Sequence, residues 1–200
     1  MRVNYFDLGL HRDGWELGQM HNKILPDLKI NDYRIFGFEA HPGYCDLANK
    51  KHVDDRINIY NRAIADEEKD FYLYLARNSV GHSLFASKNN VSKKKKVKVK
   101  GIVFTEFLEA ECPSFKDEIN ILKINIEGAE WYFFNDMISK GYHKHFTFCG
   151  SGHDVDKVAE LDSEKYWDMI NDNEIKLHRF SDYKPERNAD MASLIRDLMK

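Results

Sequence analysis

The chain has 200 residues, of which 42% are apolar and 32% charged, with 11 glycines, 4 prolines and a formal net charge of −3. This composition excludes collagen-like, low-complexity and disordered classes, and the length suffices for a core that buries roughly 70% of the unfolded surface without disulfides. So small a net charge creates no global field toward nucleic acid or an anionic membrane, and such a partner would have to be met by a local patch.

In chain order, Val3 to Leu8 reads as a strand, followed by helical spacing from Trp15 to Leu25. Arg34 to Phe38 and Tyr44 to Lys51 repeat that pair, and Ile57 to Tyr60 adds a short strand. Asp70 to Ala76 and Lys96 to Phe104 contain period-two stretches and break the alternation as an extra antiparallel pair or edge extension. Ile121 to Ile126 leads into a helix over Ala129 to Ser139, and Phe146 to Cys149 into a helix over Val155 to Asn171. Ile175 to Phe180 and Asn188 to Met199 close the chain as strand and helix. The alternation predicts one α/β domain over residues 1–200, with a mostly parallel sheet covered by helices on both faces. Ligands of such sheets sit at the carboxyl ends of the strands. Cys45, Cys112 and Cys149 are odd in number and lack zinc-site spacing, which fits a reducing, cytoplasmic setting. No apolar run approaches the ~18 residues of a membrane span, so no membrane partner is expected.

Three strand ends carry candidate chemistry. After the first strand, Asp7-Leu8-Gly9 opens a turn toward Gly14, where free helix-terminal N–H groups can hold a polar ligand end. His11 occupies the middle position of the dinucleotide glycine pattern, which argues against a nicotinamide dehydrogenase. After the second strand comes Glu39, whose two carboxylate oxygens match the adjacent hydroxyls of a ribose. Lys123, Asn125 and Glu127 alternate with Leu122, Ile124 and Ile126, so period two puts the three polar groups on one face. Their burial demands a ligand or one another; a Lys123–Glu127 ion pair that simply closes the sheet is the alternative.

Asp7-Leu8-Gly9, Phe38-Glu39-Ala40-His41-Pro42, Asn61-Arg62-Ala63-Ile64-Ala65-Asp66, Ser83-Leu84 and Leu122-Lys123-Ile124-Asn125-Ile126-Glu127-Gly128-Ala129-Glu130 resemble, in order, the motifs of the FkbM-type S-adenosylmethionine-dependent methyltransferases. The likeness runs from about Tyr5 to about Phe148. It implies a seven-stranded Rossmann-like sheet that binds S-adenosylmethionine and methylates a hydroxyl on a sugar or other small molecule. By position, Asp7 and Gly9 would lie along the methionine and sugar, Glu39 would hold the ribose, and the turn from Asn61 to Ala63 would border the adenine. Asn78, Ser79 and His82 would overhang the site and contact the acceptor. Two departures stand out: Asn125 replaces the family's usual acid, and the segment after the fifth strand reads Cys149-Gly150-Ser151-Gly152-His153-Asp154.

Methyl transfer from a sulfonium needs chiefly a positioned acceptor and a base. His153 is the first candidate base and Glu127 the second, while Asn125 can orient a hydroxyl or a cofactor amine but cannot ionise. No metal is expected, because this strand end offers few oxygen ligands. Two other readings stay open: a non-catalytic binding protein on the same fold, and an RNA methyltransferase guided by Lys93 to Lys100. That run holds six lysines in eight residues, and its alternation with Val97 and Val99 also fits an edge strand protected against pairing.

Overall fold

The computed structural model describes residues 1–150, 154–178, 180 and 187–200. The first part of the chain forms β1 (Val3–Leu8), α1 (Trp15–Gln19), α2 (Leu25–Asp27), β2 (Tyr33–Phe38), α3 (Pro42–Lys51) and β3 (Ile57–Tyr60). There follow β4 (Ala63–Ile64), β5 (Asp70–Ala76), β6 (Val91–Ile102) and α4 (Phe104–Glu111). The remainder forms β7 (Ile119–Ile124), α5 (Glu130–Ser139), β8 (Phe146–Gly150), α6 (Ser163–Asp172), β9 (Leu177–His178) and α7 (Arg187–Leu198).

β1 and β7 are buried along their whole lengths, as central strands must be when helices cover both faces. Phe6, Leu8, Leu122 and Ile124 face a core made with α4, α5 and α6, while Val3, Tyr5, Ile119 and Ile121 face a second core made with α1, α3 and α7. The central sheet is parallel throughout and ordered β3-β2-β1-β7-β8-β9. The chain therefore runs outward from β1 to β3 and returns to the other side of β1, which makes the β1–β7 boundary the topological switch point where a crevice opens. This is the parallel, helix-covered sheet that the alternation predicts, and it is Rossmann-like as the family resemblance implies. The described residues carry six strands in that sheet, one fewer than the seven that the family resemblance implies.

The extra pair exists and is larger than expected. β5 keeps its expected bounds, but its antiparallel partner β6 begins at Val91, so every lysine from Lys93 to Lys100 lies within one strand. β4 pairs in parallel with the far end of β6 through Ala63 and Ile64, giving the order β4-β6-β5. The helix expected over Val155 to Asn171 divides into a 3-10 turn at Asp154–Lys157 and α6, because the Asp162 side chain accepts the Lys165 N–H and restarts the helix there. The first helical region contains a π-turn at Met20–Ile24 between α1 and α2. Helix α4, which begins where the second strand of the pair is expected to end, carries Phe104, Phe107 and Leu108 at helical spacing into the core.

Thirteen phenylalanines are many for this length, and a large share of them converge on α4. The Phe104 ring is fully buried, 5.5 Å from Phe6, 5.9 Å from Phe38 and 5.3 Å from Phe133 between centroids, so it ties α4 to β1, β2 and α5. Phe104→Ala should lower unfolding free energy by roughly 3–5 kcal/mol, read from urea denaturation midpoints with an unchanged slope.

Candidate active site

A cavity of about 480 Å³ opens beyond the carboxyl ends of β1, β2 and β7, within the range that holds nucleotide-sized ligands. Its deepest ionic feature joins two strands. Asp7 of β1 and Lys123 of β7 are directly opposed in the sheet register, their charged atoms are 2.9 Å apart, and both are almost completely inaccessible. Lys123 Nζ also donates to the Gly9 carbonyl at 2.7 Å, and Tyr5 Oη donates to Asp7 Oδ2 at 3.3 Å. Burial opposes the charge on Lys123, but the carboxylates of Asp7 and Glu16 outweigh it and hold the ammonium above its ordinary range. Lys123 reaches the cavity wall, whereas Asp7 lies beneath it and braces the lysine.

The two turns at the switch point interlock. The Asn125 N–H donates to the Leu8 carbonyl at 2.9 Å, and Gly9 has φ +89°. A Cβ at Gly9 would overlap the Asn125 carbonyl oxygen, so only glycine fits the crossing. The pleat of β7 consequently stops at Ile124, earlier than the alternation indicates. Glu127 and Gly128 then both turn left-handed, with φ +59° and +107°. Glu130, fully buried at the start of α5, stabilises this turn: Oε1 accepts the Ile126 N–H at 3.0 Å and Oε2 the Gly128 N–H at 2.6 Å.

Glu39 sits at the cavity edge, only 8% exposed. The His11 N–H donates to its Oε2 at 2.7 Å and the His41 N–H to its Oε1 at 2.8 Å. Burial pushes its carboxyl up to about 7, against the pull of the two N–H donors. Each oxygen keeps capacity for one more hydrogen bond, which two adjacent ligand hydroxyls would match.

Glu127 also lines the cavity, but its partner is Lys88 at 2.7 Å, not Lys123. Lys88, whose side chain is fully buried, further contacts Asp154 at 2.9 Å and Asn90 Oδ1 at 2.9 Å, and Lys157 pairs with Asp154 at 2.7 Å. Burial and the neighbouring Asp154 carboxyl raise the Glu127 pKa, while Lys88 opposes the rise. The alternative of a Lys123–Glu127 ion pair that closes the sheet is not realised; two separate ionic clusters form instead.

A roof crosses from the β5–β6 connection. The Ser79 carbonyl accepts from His11 Nε2 at 3.0 Å and from Tyr44 Oη at 3.1 Å. His82 lies nearly parallel to Tyr44, 5.5 Å away, and its Nδ1 accepts the Ala76 N–H at 3.0 Å, which puts the proton of the neutral ring on Nε2. Burial, then the nearby His41, His11 and Lys88, lowers its pKa to about 4.

Of the residues singled out in the sequence, Gly9, Glu39, Ala63, Asn78, Ser79, His82, Asn125 and Glu127 all line this one cavity. Asn61 stands behind it, donating to the carbonyls of Glu39 and Ala40 at 2.9 and 3.0 Å. His153 lies outside the described residues. Lys88 and Tyr44 were not legible as site residues, because nothing local distinguishes them from surface polar groups; Arg62 lies in the turn expected to border the adenine, while Asp154 and Glu130 stood in quoted segments without a role. Among the described residues no cluster of three or more His, Cys, Asp or Glu is placed to hold a metal ion, and no helix is long and apolar enough to cross a membrane.

The model of the methyltransferase FkbM domain matches residues 24–169, well over half of the chain. No curated protein and no solved structure matches it.

Lys123→Met, which strands the Asp7 carboxylate in the core, should cost roughly 3–5 kcal/mol in chemical denaturation, and pairing it with Asp7→Leu should recover much of that loss.

Proposed function

This chain belongs to the FkbM methyltransferase family, and from that premise we propose that it moves a methyl group from S-adenosylmethionine to a hydroxyl oxygen of a small, carbohydrate-like acceptor. The observation that carries the reading is Glu39, a buried carboxylate fixed by two backbone N–H groups beside the Gly9 turn and retaining acceptor capacity toward the cavity. The residues present fit the cofactor. Glu39 would take the ribose hydroxyls, and Arg62, Ala63 and Ile64 form the adjoining wall for the adenine. The turn from Gly9 to His11, with Lys123 behind it, would receive the polar methionine end.

The sulfonium supplies an activated methyl group, so the protein's task is to orient the acceptor oxygen and take its proton. Glu127 is the residue placed for that proton. It lines the cavity, is raised toward neutrality by burial, and is held in one orientation by Lys88. Asn125, two residues earlier on the same wall, can both donate to and accept from a hydroxyl, which orients it without competing for the proton.

Calorimetry with S-adenosylmethionine and S-adenosylhomocysteine tests the donor: binding is expected, and its absence at millimolar concentration overturns the reading. Because Glu39 must be ionised to accept from two N–H groups and two hydroxyls at once, affinity should strengthen as pH rises through about 7 and level off above it. Glu39→Gln should bind roughly ten- to hundredfold more weakly and lose that dependence. Glu127→Gln should leave binding of S-adenosylhomocysteine within about twofold while reducing methyl transfer by roughly 10²–10⁴; unchanged transfer would remove Glu127 as the base.

A further inference from the structure

The β5–β6 ribbon has a charge distribution that folding does not require. Its inner face is apolar, with Leu73, Val97 and Val99 packed toward Ala63 and Ala40. On its outer face Tyr72 lies opposite Lys98, Tyr74 opposite Lys96 and Asp70 opposite Lys100. At the end that runs into β4, Lys98 pairs with Asp70 at 2.7 Å. At the end that leads into the β5–β6 connection, Arg77, Lys93, Lys94, Lys95 and Lys96 are all exposed, and among the described residues none of them pairs with a carboxylate. Arg77 directly precedes Asn78 and Ser79 of the cavity wall, and a surface depression joins Arg77 to Lys93 and Lys95.

Protection of a strand edge accounts for part of this arrangement, since among the described residues β4 covers β6 only at Gly101 and Ile102 and leaves that side open from Val91 to Lys100. It does not account for Arg77, which lies off that edge at the end of the neighbouring strand and continues the cationic surface to the cavity wall. In a protein of net charge −3, an unpaired cationic pole at that position attracts a polyanion locally. The ribbon's aromatic rings are poor platforms for bases, because Lys96 Nζ lies 3.8 Å over the centroid of Tyr72 and 5.9 Å from that of Tyr74. Charge, more than base stacking, is what this surface can read.

Resting on the proposed hydroxyl methylation, we propose that the acceptor is an acidic carbohydrate chain, whose carboxylate, sulfate or phosphate groups lie along Arg77 and Lys93 to Lys96 while one hydroxyl enters the cavity past Asn78 and Ser79.

Fluorescence anisotropy tests this with a labelled heparin oligosaccharide, a neutral maltooligosaccharide and a single-stranded uridine oligonucleotide. The acidic glycan should bind, weaken as salt rises, and outcompete the other two. The combined variant Arg77→Ala, Lys93→Ala and Lys95→Ala should weaken it by roughly tenfold, the scale of losing several polyanion contacts. Lys98→Ala at the paired end should change affinity by less than about twofold. No glycan binding, equal losses from both ends of the ribbon, or tighter binding of the oligonucleotide would each overturn the proposal. Calorimetry with S-adenosylhomocysteine on the same samples keeps the two readings apart. Glycan binding without nucleoside binding defeats the methyl-transfer reading while retaining the cationic docking surface; nucleoside binding without glycan binding defeats the docking surface alone.

Discussion

Everything at the cavity depends on the buried contact between Asp7 and Lys123. Two charges removed from water at the ends of adjacent central strands are costly unless each neutralises the other, and their opposition in the register lets them do so. Hydrophobic residues of similar volume would close the sheet at least as well. What the ion pair adds is a fixed donor, Lys123 Nζ, aimed at the Gly9 carbonyl, and a positive charge behind the wall that faces a ligand. The pair therefore converts sheet register into the placement of a turn.

The same device recurs in softer form at two other turns. Glu39 and Glu130 each spend one carboxylate oxygen on one backbone N–H and the other oxygen on a second, so each glutamate holds a bend that would otherwise leave buried donors unsatisfied. They differ in what remains. Glu130 is sealed in the interior, whereas Glu39 is on the cavity wall, so its remaining lone pairs are available to something that enters. Burial lifts both carboxyls to about 7, which places their ionisation within the physiological range.

The strand and helix alternation was legible because β1, β2, β7 and β8 are short, apolar and bounded by polar turns, and the family resemblance followed from motifs at their ends. The site was legible where a residue sat at a strand terminus, as with Gly9, Glu39 and Asn125. It was not legible where a residue arrives from a distant, irregular segment. Lys88 meets Glu127 and Asp154 only because the β5–β6 connection folds back over β7, and no periodicity announces such a return. The division of the segment after β8 at Asp162 was missed for another reason: a helical period continued through it while a single capping side chain decided the break. Alternation along β7 leaves a Lys123–Glu127 pair open as an alternative; the neighbouring strand decides against it, because Asp7 stands directly opposite Lys123 in the register.

Gly9 and Glu39 illustrate how differently two residues of one cavity can inform. A glycine after the first strand of such a sheet is commonly taken as a sign that a nucleotide comes near. In this chain the space over its α-carbon is already filled by the backbone of Asn125. A descendant that had abandoned all chemistry would be obliged to retain that glycine merely to stay folded, so its presence is a record of architecture. Evidence about the vocation of such a descendant would have to be sought in whether it still spared an acidic side chain for a visitor.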